Sequence, residues 1–162
     1  MNAYVSLGSN LGDRAGNLLL GIRGMLEANL TVISLSQVYE TEPVETFAQP
    51  AFLNMVAELR GSVLPRPEEL MARLLRIEYA LGRTREAAMA PRTIDLDLLF
   101  YPNETSETQF LTLPHPRLHR RRFVLVPLNE LAPKLIHPKL NKTTGELLEQ
   151  LDDDSKLNLW RP

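Results

Sequence analysis

The chain contains no cysteine. Disulfides and thiolate chemistry are therefore excluded. Net charge is only −2, too small for the basic footprint of a general nucleic-acid binder, so no nucleic-acid partner is expected. No window approaches the long uncharged apolar run that a membrane helix needs, and no membrane partner is expected either. The N-terminus reads Met1-Asn2-Ala3-Tyr4-Val5, without a basic region leading into an apolar one, so the reading is no secretory signal and a cytoplasmic protein. There is no internal repeat, low-complexity tract or linker. A chain of 162 residues can bury one core and is short for two, so one domain over 1–162 is expected.

What is present is unevenly placed. Of 14 arginines, 7 lie between Arg83 and Arg122, whereas all 4 lysines come from Lys134 onward. The planar guanidinium fork suits phosphate oxygens. A phosphate-rich small ligand and a solvated arginine face are both compatible with charge alone.

Periodicity lays out the elements. Ala3, Val5 and Leu7 alternate in a first strand ended by Gly8. Asn10-Leu11-Gly12-Asp13 is turn chemistry, with Asp13 as a helix cap. Leu18, Ile22, Met25 and Leu26 recur at helical spacing. Thr31 to Tyr39 reads as a second strand and Glu40 to Pro50 as a loop. Leu53, Met55, Ala57 and Leu59 form a third strand. Pro67-Glu68-Glu69 suits a helix N-terminus, Leu70, Leu74, Ile77 and Leu81 its buried stripe, and Gly82 its end. Arg83 to Pro91 is a second loop, Thr93 to Phe100 a fourth strand, and Pro102 to Thr108 a polar stretch. Phe123 to Leu131 is predicted helical despite Pro127. Thr143 and Glu146 have capping-box spacing before a short last helix. Strand, helix, strand, strand, helix, strand is the βαββαβ unit of ferredoxin-like α+β folds. It predicts a mainly antiparallel four-stranded sheet with two helices on one face and C-terminal helical segments over part of the other.

The sharpest chemical signal is Asp95-Leu96-Asp97 within the fourth strand. Alternation sends Ile94, Leu96, Leu98 and Phe100 to the core and Asp95 and Asp97 to the opposite face, with Cα atoms roughly 6.5–7 Å apart at about 3.3 Å per residue. Adjacent carboxylates repel, and aspartate is a poor strand former, so something should compensate. Magnesium, held by one or two carboxylates plus substrate phosphates, is one answer; water or paired arginines are another. The neighbourhood favours the metal. Arg83, Arg85 and Arg92 precede the strand, and His115, Arg117, His119, Arg120, Arg121 and Arg122 follow, which is the setting phosphoryl transfer requires. His115 stands between Pro114 and Pro116, on stiff backbone, placed to donate to a phosphate. His119 and His137 read as structural. Gly8 to Asp13 lacks both the P-loop ending and the dinucleotide spacing, so it serves equally as a strand-to-helix turn. Phe52 and Phe123 could sandwich a planar ring, with Asn54 on the face of Phe52 to bond its edge, or both could be ordinary core.

Taken in order, Gly8-Ser9-Asn10-Leu11-Gly12-Asp13, Tyr39-x-Thr41-x-Pro43, Gln49-Pro50-x-Phe52-x-Asn54, Arg76-Ile77-Glu78, Gly82-Arg83-x-Arg85, Pro91-Arg92-Thr93-Ile94-Asp95-Leu96-Asp97, Pro114-His115, Arg121-x-Phe123, Pro127-Leu128 and Ala132-Pro133 resemble the 6-hydroxymethyl-7,8-dihydropterin pyrophosphokinases. The resemblance covers about four fifths of the chain, a length that makes it specific where any single piece is weak. It implies transfer of diphosphate from ATP to the pterin hydroxymethyl group in folate biosynthesis, with release of AMP. It further implies that Asp95 and Asp97 hold two Mg2+ ions and that Arg83 and Arg92 close the site and stabilise transfer. Glu78, Arg85, Leu98, Thr112, His115 and Arg121 would contact ATP. Phe52 and Phe123 would sandwich the pterin, and Asn54, Thr41, Pro43 and Val44 would read its edge. Loops Glu40–Pro50 and Arg83–Pro91 would act as lids.

The sequence departs from this pattern in places. The second lid is about one residue shorter than in the best-known members. Met89-Ala90 replace the usual Trp-Gly, so an aromatic cover for the pterin is absent. Phe52 stands where tyrosine is common, and Pro116 replaces an aromatic. The expected partners are ATP and a dihydropterin, and the expected state is a monomer. Two rivals follow from the residues alone. A magnesium-dependent nucleotidyltransferase would attack the α-phosphorus and release pyrophosphate. A non-catalytic ferredoxin-like binding module would show exposed aromatics on its central strands.

Overall fold

The central element is β1 (Ala3–Ser9), buried at every position. A computed structural model describes residues 1–41, 50–82 and 93–162 of the chain. β1 continues through Gly8 instead of stopping there. The chain then turns into α1 (Arg14–Glu27), where Asp13 accepts the Gly16 N–H at 3.1 Å, the predicted cap. β2 (Val32–Leu35) and β3 (Tyr39–Thr41) follow, then β4 (Phe52–Leu59), α2 (Pro67–Ala80) and β5 (Asp95–Phe100). Gly82, with φ +89°, ends the second helix as its position predicted.

All pairings in the main sheet are antiparallel, in the order β1 between β4 and β5, with β2 and β3 both on the far edge of β4. The expected single strand from Thr31 to Tyr39 is thus two strands. Leu35 pairs with Ala57 and Tyr39 with Asn54, so 4 steps on one strand face 3 on the other. The extra residue breaks the ladder. Ser36 bridges the gap, its N–H donating to the Val56 carbonyl and its Oγ accepting the Val56 N–H at 2.8 Å.

Two short ribbons, β6 (Ser106–Glu107) with β7 (Thr112–Leu113) and β8 (Ile136–His137) with β9 (Lys142–Thr143), flank α3 (Arg122–Leu131). α4 (Thr144–Glu149) starts on the Thr143 cap, which accepts the Glu146 N–H at 3.1 Å. An unforeseen strand, β10 (Leu157–Leu159), then pairs with β3 and forms the sheet edge.

The sheet separates two apolar layers. On one face Val5, Leu7, Leu53, Met55, Ala57, Leu59, Ile94, Leu96 and Leu98 pack with Leu18 and Met25 of α1 and Leu70, Leu74 and Ile77 of α2. On the other, Tyr4, Val56, Leu99 and Phe100 pack with Val124, Leu125 and Leu128 of α3 and Leu147 of α4. Phe100 was expected on the first face. Tyr4 pairs with Phe100 but Val5 with Leu98, so β5 carries one extra residue there and Leu99 and Phe100 both join the second layer. The arrangement keeps the βαββαβ order, with α1 and α2 on one face and α3 and α4 on the other.

Candidate active site

The second face of the sheet changes character along its length. At the Tyr4 and Val56 end it is covered by α3 and α4. Toward the end of β1 it becomes polar, because residues that alternate with the core positions bring Gly8, Asn54 and Asp95 into one row. Gly8 pairs with Asn54 on one side and with Asp95 on the other. The absence of a side chain at Gly8 lets its neighbours approach the strand closely. A Cβ added there would stand 2.9 Å from Asn54 Oδ1, 3.6 Å from Phe52 Cδ1 and 3.8 Å from Asp95 Cβ. Asn54 is buried and donates its amide to Thr41 Oγ1 at 2.7 Å. That bond orients the amide, with Oδ1 toward Gly8. Sequence reasoning treated Gly8 as a strand end; a glycine inside a strand is the signal of close approach that it passed over.

Asp97 lies one pleat along, opposite Ser6, on the same face as Asp95. Leu96 between them is wholly buried in the first core. His115 is within electrostatic reach of Asp97. Burial holds its pKa below the ordinary value, the Asp97 carboxylate pushes it back up, and Arg121 and Arg117 push it down. Its Nδ1 accepts the Arg117 N–H at 3.2 Å, which leaves Nε2 to carry the proton of the neutral ring. The peptide before Pro114 is cis, and the His115 N–H donates to the Leu99 carbonyl at 2.9 Å, fixing the residue beside β5. The Arg121 guanidinium lies over the Phe123 ring, 5.5 Å from its centre, within the range of a cation–π contact.

The structure therefore groups Thr41, Phe52, Asn54 and Asp95 around Gly8, and Asp97, His115 and Arg121 beside them, with Phe123 reached through Arg121. Two residues expected at the nucleotide turn their side chains into the protein. The Leu98 side chain is buried in the first core, on the face opposite Asp97. Glu78 is buried at the end of α2, where Oε2 accepts the Leu96 N–H at 2.9 Å. Thr112, on β7, donates to the Thr108 carbonyl. Pro43, Val44, Arg83, Arg85 and Arg92 lie outside the described residues, as do most of both expected lids. The flanks of the first are tied down: Asn10 donates to the Pro50 carbonyl, and Arg14 bonds the Ala51 carbonyl and pairs with Glu40 at 2.7 Å.

Comparison with known proteins decides between chemistries that this grouping would allow. Residues 4–133 match the family of 7,8-dihydro-6-hydroxymethylpterin-pyrophosphokinase (HPPK). The chain belongs to the HPPK family. It is 44% identical over 134 residues, 82% of this chain and 79% of the relative, to the 2-amino-4-hydroxy-6-hydroxymethyldihydropteridine pyrophosphokinase of Bacillus subtilis. Identity to the similarly named protein of Aquifex aeolicus is 38% over 143 residues, 88% of each chain. The solved HPPK-DHPS of Plasmodium falciparum with pterin and p-hydroxybenzoate superposes with a TM-score of 0.69 at 17% identity. This covers 92% of the present chain and 43% of that longer one, a likeness of fold. As an HPPK the protein is an ATP-dependent diphosphotransferase of folate biosynthesis, acting on hydroxymethyldihydropterin.

The donor set suits the divalent cation that ATP chemistry uses. Asp95 and Asp97 are hard oxygen donors on one sheet face. Among the described residues no third His, Cys, Asp or Glu joins a cluster able to hold a metal. A site of two carboxylates fits magnesium, which completes its shell with phosphates and water, better than an ion needing a protein cage.

Proposed function

We propose that the pterin binds at Asn54 and Phe52, beside Gly8, and that Asp95 and Asp97 hold two magnesium ions carrying the ATP triphosphate next to it. The observation that carries this reading is the single row Asn54, Gly8, Asp95. It sets a ring-edge reader and a cation ligand on either side of a residue with no side chain. Asn54, fixed by Thr41, would bond the pterin edge, and Phe52 and Phe123 would cover its faces. The pterin hydroxyl oxygen attacks the β-phosphorus, the bond from that phosphorus to the bridging oxygen of the α-phosphate breaks, AMP leaves, and the hydroxyl proton passes to water. Bound magnesium would neutralise the triphosphate and stabilise charge on the departing oxygen. His115, proton on Nε2, and Arg121 would contribute charge-assisted bonds to phosphate oxygens. Arg83 and Arg92 would complete the clamp, and Arg85 would bind the nucleotide. Catalysis of this kind rests on positioning and charge more than on proton transfer.

The test is incubation with ATP, magnesium and 6-hydroxymethyl-7,8-dihydropterin, following nucleotide products. The reading expects AMP and a pterin diphosphate. Pyrophosphate with a nucleotidylated product would support the nucleotidyltransferase instead. Asp97→Ala is expected to lower AMP formation about 100- to 1000-fold, in line with loss of a group that stabilises transferring phosphate, with the fold unchanged by circular dichroism. Near-normal turnover would remove Asp97 from the metal site. We further infer a cytoplasmic monomer, one domain over residues 1–162, which size-exclusion chromatography with light scattering would test for oligomeric state. Among the described residues no helix is long and apolar enough to cross a membrane.

A further inference from the structure

The buried carboxylate of Glu78 is placed where physics argues against it. It lies in the last turn of α2, at the negative end of the helix dipole, and is 2% exposed. A carboxylate there costs free energy unless a donor meets it. One donor is the Leu96 backbone N–H, 2.9 Å from Oε2. Leu96 is the residue between Asp95 and Asp97, and β5 is the last strand on its side of the sheet among the described residues. In an antiparallel ladder alternate residues turn their peptide groups toward and away from the partner. The Leu96 N–H points away from β1 and would be unpaired at this edge without Glu78. Asp95 and Asp97 sit opposite Gly8 and Ser6 on the inner side.

We propose that Glu78 is a positioning residue for the cation site: it clamps the Asp95–Asp97 backbone from outside while β1 holds it from inside. The two carboxylates are then fixed in spacing and direction before a cation arrives. The carboxylate of Glu78 acts through the strand and not on the nucleotide. This inference rests on the reading of Asp95 and Asp97 as cation ligands. Its parts come from elements 18 residues apart in sequence, and the orienting groups around metal ligands typically change affinity about 10–100-fold when removed.

The experiment measures Mn2+ binding by electron paramagnetic resonance with a non-hydrolysable ATP analogue, together with amide exchange at Leu96 by NMR. Glu78→Leu removes the acceptor. It is expected to weaken Mn2+ at least about tenfold and to deprotect the Leu96 amide, with affinity for the metal-free analogue unchanged. Glu78→Gln keeps a carbonyl acceptor and is expected to restore Mn2+ affinity to within about threefold of the parent protein. Should Glu78→Leu fail to fold, Glu78→Asp withdraws the acceptor by one methylene and is expected to show the same losses. Wild-type Mn2+ binding in a folded acceptor-lacking variant overturns the inference. So does equal loss of metal-free analogue binding in Glu78→Gln and Glu78→Leu, which would make the carboxylate a nucleotide contact. Asp97→Ala serves as the control. If it leaves Mn2+ binding intact, the cation-site reading fails; if it weakens binding while Glu78→Leu does not, only the clamp fails.

Discussion

A methyl group added at Gly8 would approach the Asn54 amide oxygen to 2.9 Å and the Phe52 ring to 3.6 Å. Asn54 cannot retreat freely, because it is buried and its amide is held by Thr41. Gly8→Ala is therefore expected to push Asn54 off its orientation and to crowd the Phe52 ring. Overpacking of this kind costs about 1–3 kcal/mol, which as lost ligand affinity is roughly 5–150-fold. Calorimetry should show weakened pterin binding with ATP-analogue affinity nearly unchanged, since the added methyl meets Asp95 Cβ only at 3.8 Å, an ordinary contact, and Asp97, His115 and Arg121 lie beyond the altered row. Equal weakening of both ligands would mean that the substitution disturbs β1 as a whole. At this scale the shared face of Asp95 and Asp97 was readable, because strand alternation alone assigns it. The role of Gly8 was not readable, since it depends on which residues of β4 and β5 stand opposite. The tie from Glu78 to β5 was hidden for a similar reason. Its partner is a backbone N–H, which no residue type announces.

The ribbon of β8 and β9 behaves as a small element with its own pH dependence. His137 is buried, and its Nδ1 accepts the N–H groups of Lys139 at 3.2 Å and Leu140 at 3.1 Å. Protonating Nδ1 would break both bonds and close the turn less well. The Phe100 and His119 ring centres lie 5.8 Å and 6.1 Å from that of His137, each nearly perpendicular to it. Burial, then His119 and Lys139, hold the pKa of His137 below its ordinary 6.5. The folded state then binds fewer protons than the unfolded state below about pH 6.5. Stability is complete above that pH and is lost as pH falls toward the folded value. His119, kept low by burial and Arg120, acts in the same direction. His137→Asn, whose Oδ1 can accept in place of Nδ1, should melt near the parent temperature at pH 8 and lose less between pH 7 and pH 5. Parallel losses over that range would exclude His137 as a source of acid sensitivity. Elements with strong local signals were legible: α1 from Asp13 and its apolar spacing, α2 from Pro67 and Gly82, α4 from Thr143. The two-residue strands were not, because two residues carry no period. The break between β2 and β3 was also hidden, because one extra residue is visible only against its partner strand.

Across the whole molecule, the C-terminal segment joins parts that the βαββαβ unit leaves apart. After α4 the chain passes the N-terminus of α3, where Asp153 Oδ2 accepts the Arg122 N–H at 3.1 Å and Oδ1 accepts the Ser155 N–H at 2.9 Å. Arg122 answers by donating Nη1 to the Ser155 carbonyl at 2.8 Å. The chain then forms β10 against β3, and the Trp160 N–H donates to the Val38 carbonyl while its ring packs on the first core. Nothing in a run of aspartates advertises this, yet Asp153 supplies the acceptor that the first turn of α3 needs from outside. Burial pushes the Asp153 carboxyl up, but hydrogen bonds from Ser155 and Arg122 outweigh it and hold the pKa below the ordinary value. The ionised clamp is therefore present above about pH 4 and is lost as pH falls through the folded value. Arg121 and Phe123 flank the clamped residue, so the tie sets the direction in which α3 leaves the candidate site. Asp153→Ala should lower stability by about 1 kcal/mol, the usual cost of a lost helix-terminal acceptor. It should also raise the KM for both ATP and the pterin severalfold, with a smaller change in kcat. Thermal melts and steady-state kinetics on the full chain would check both. A variant with lowered melting temperature but parental KM values would confine the clamp to stability, because α3 would then be aimed by its packing on Tyr4, Val56 and Leu99 alone.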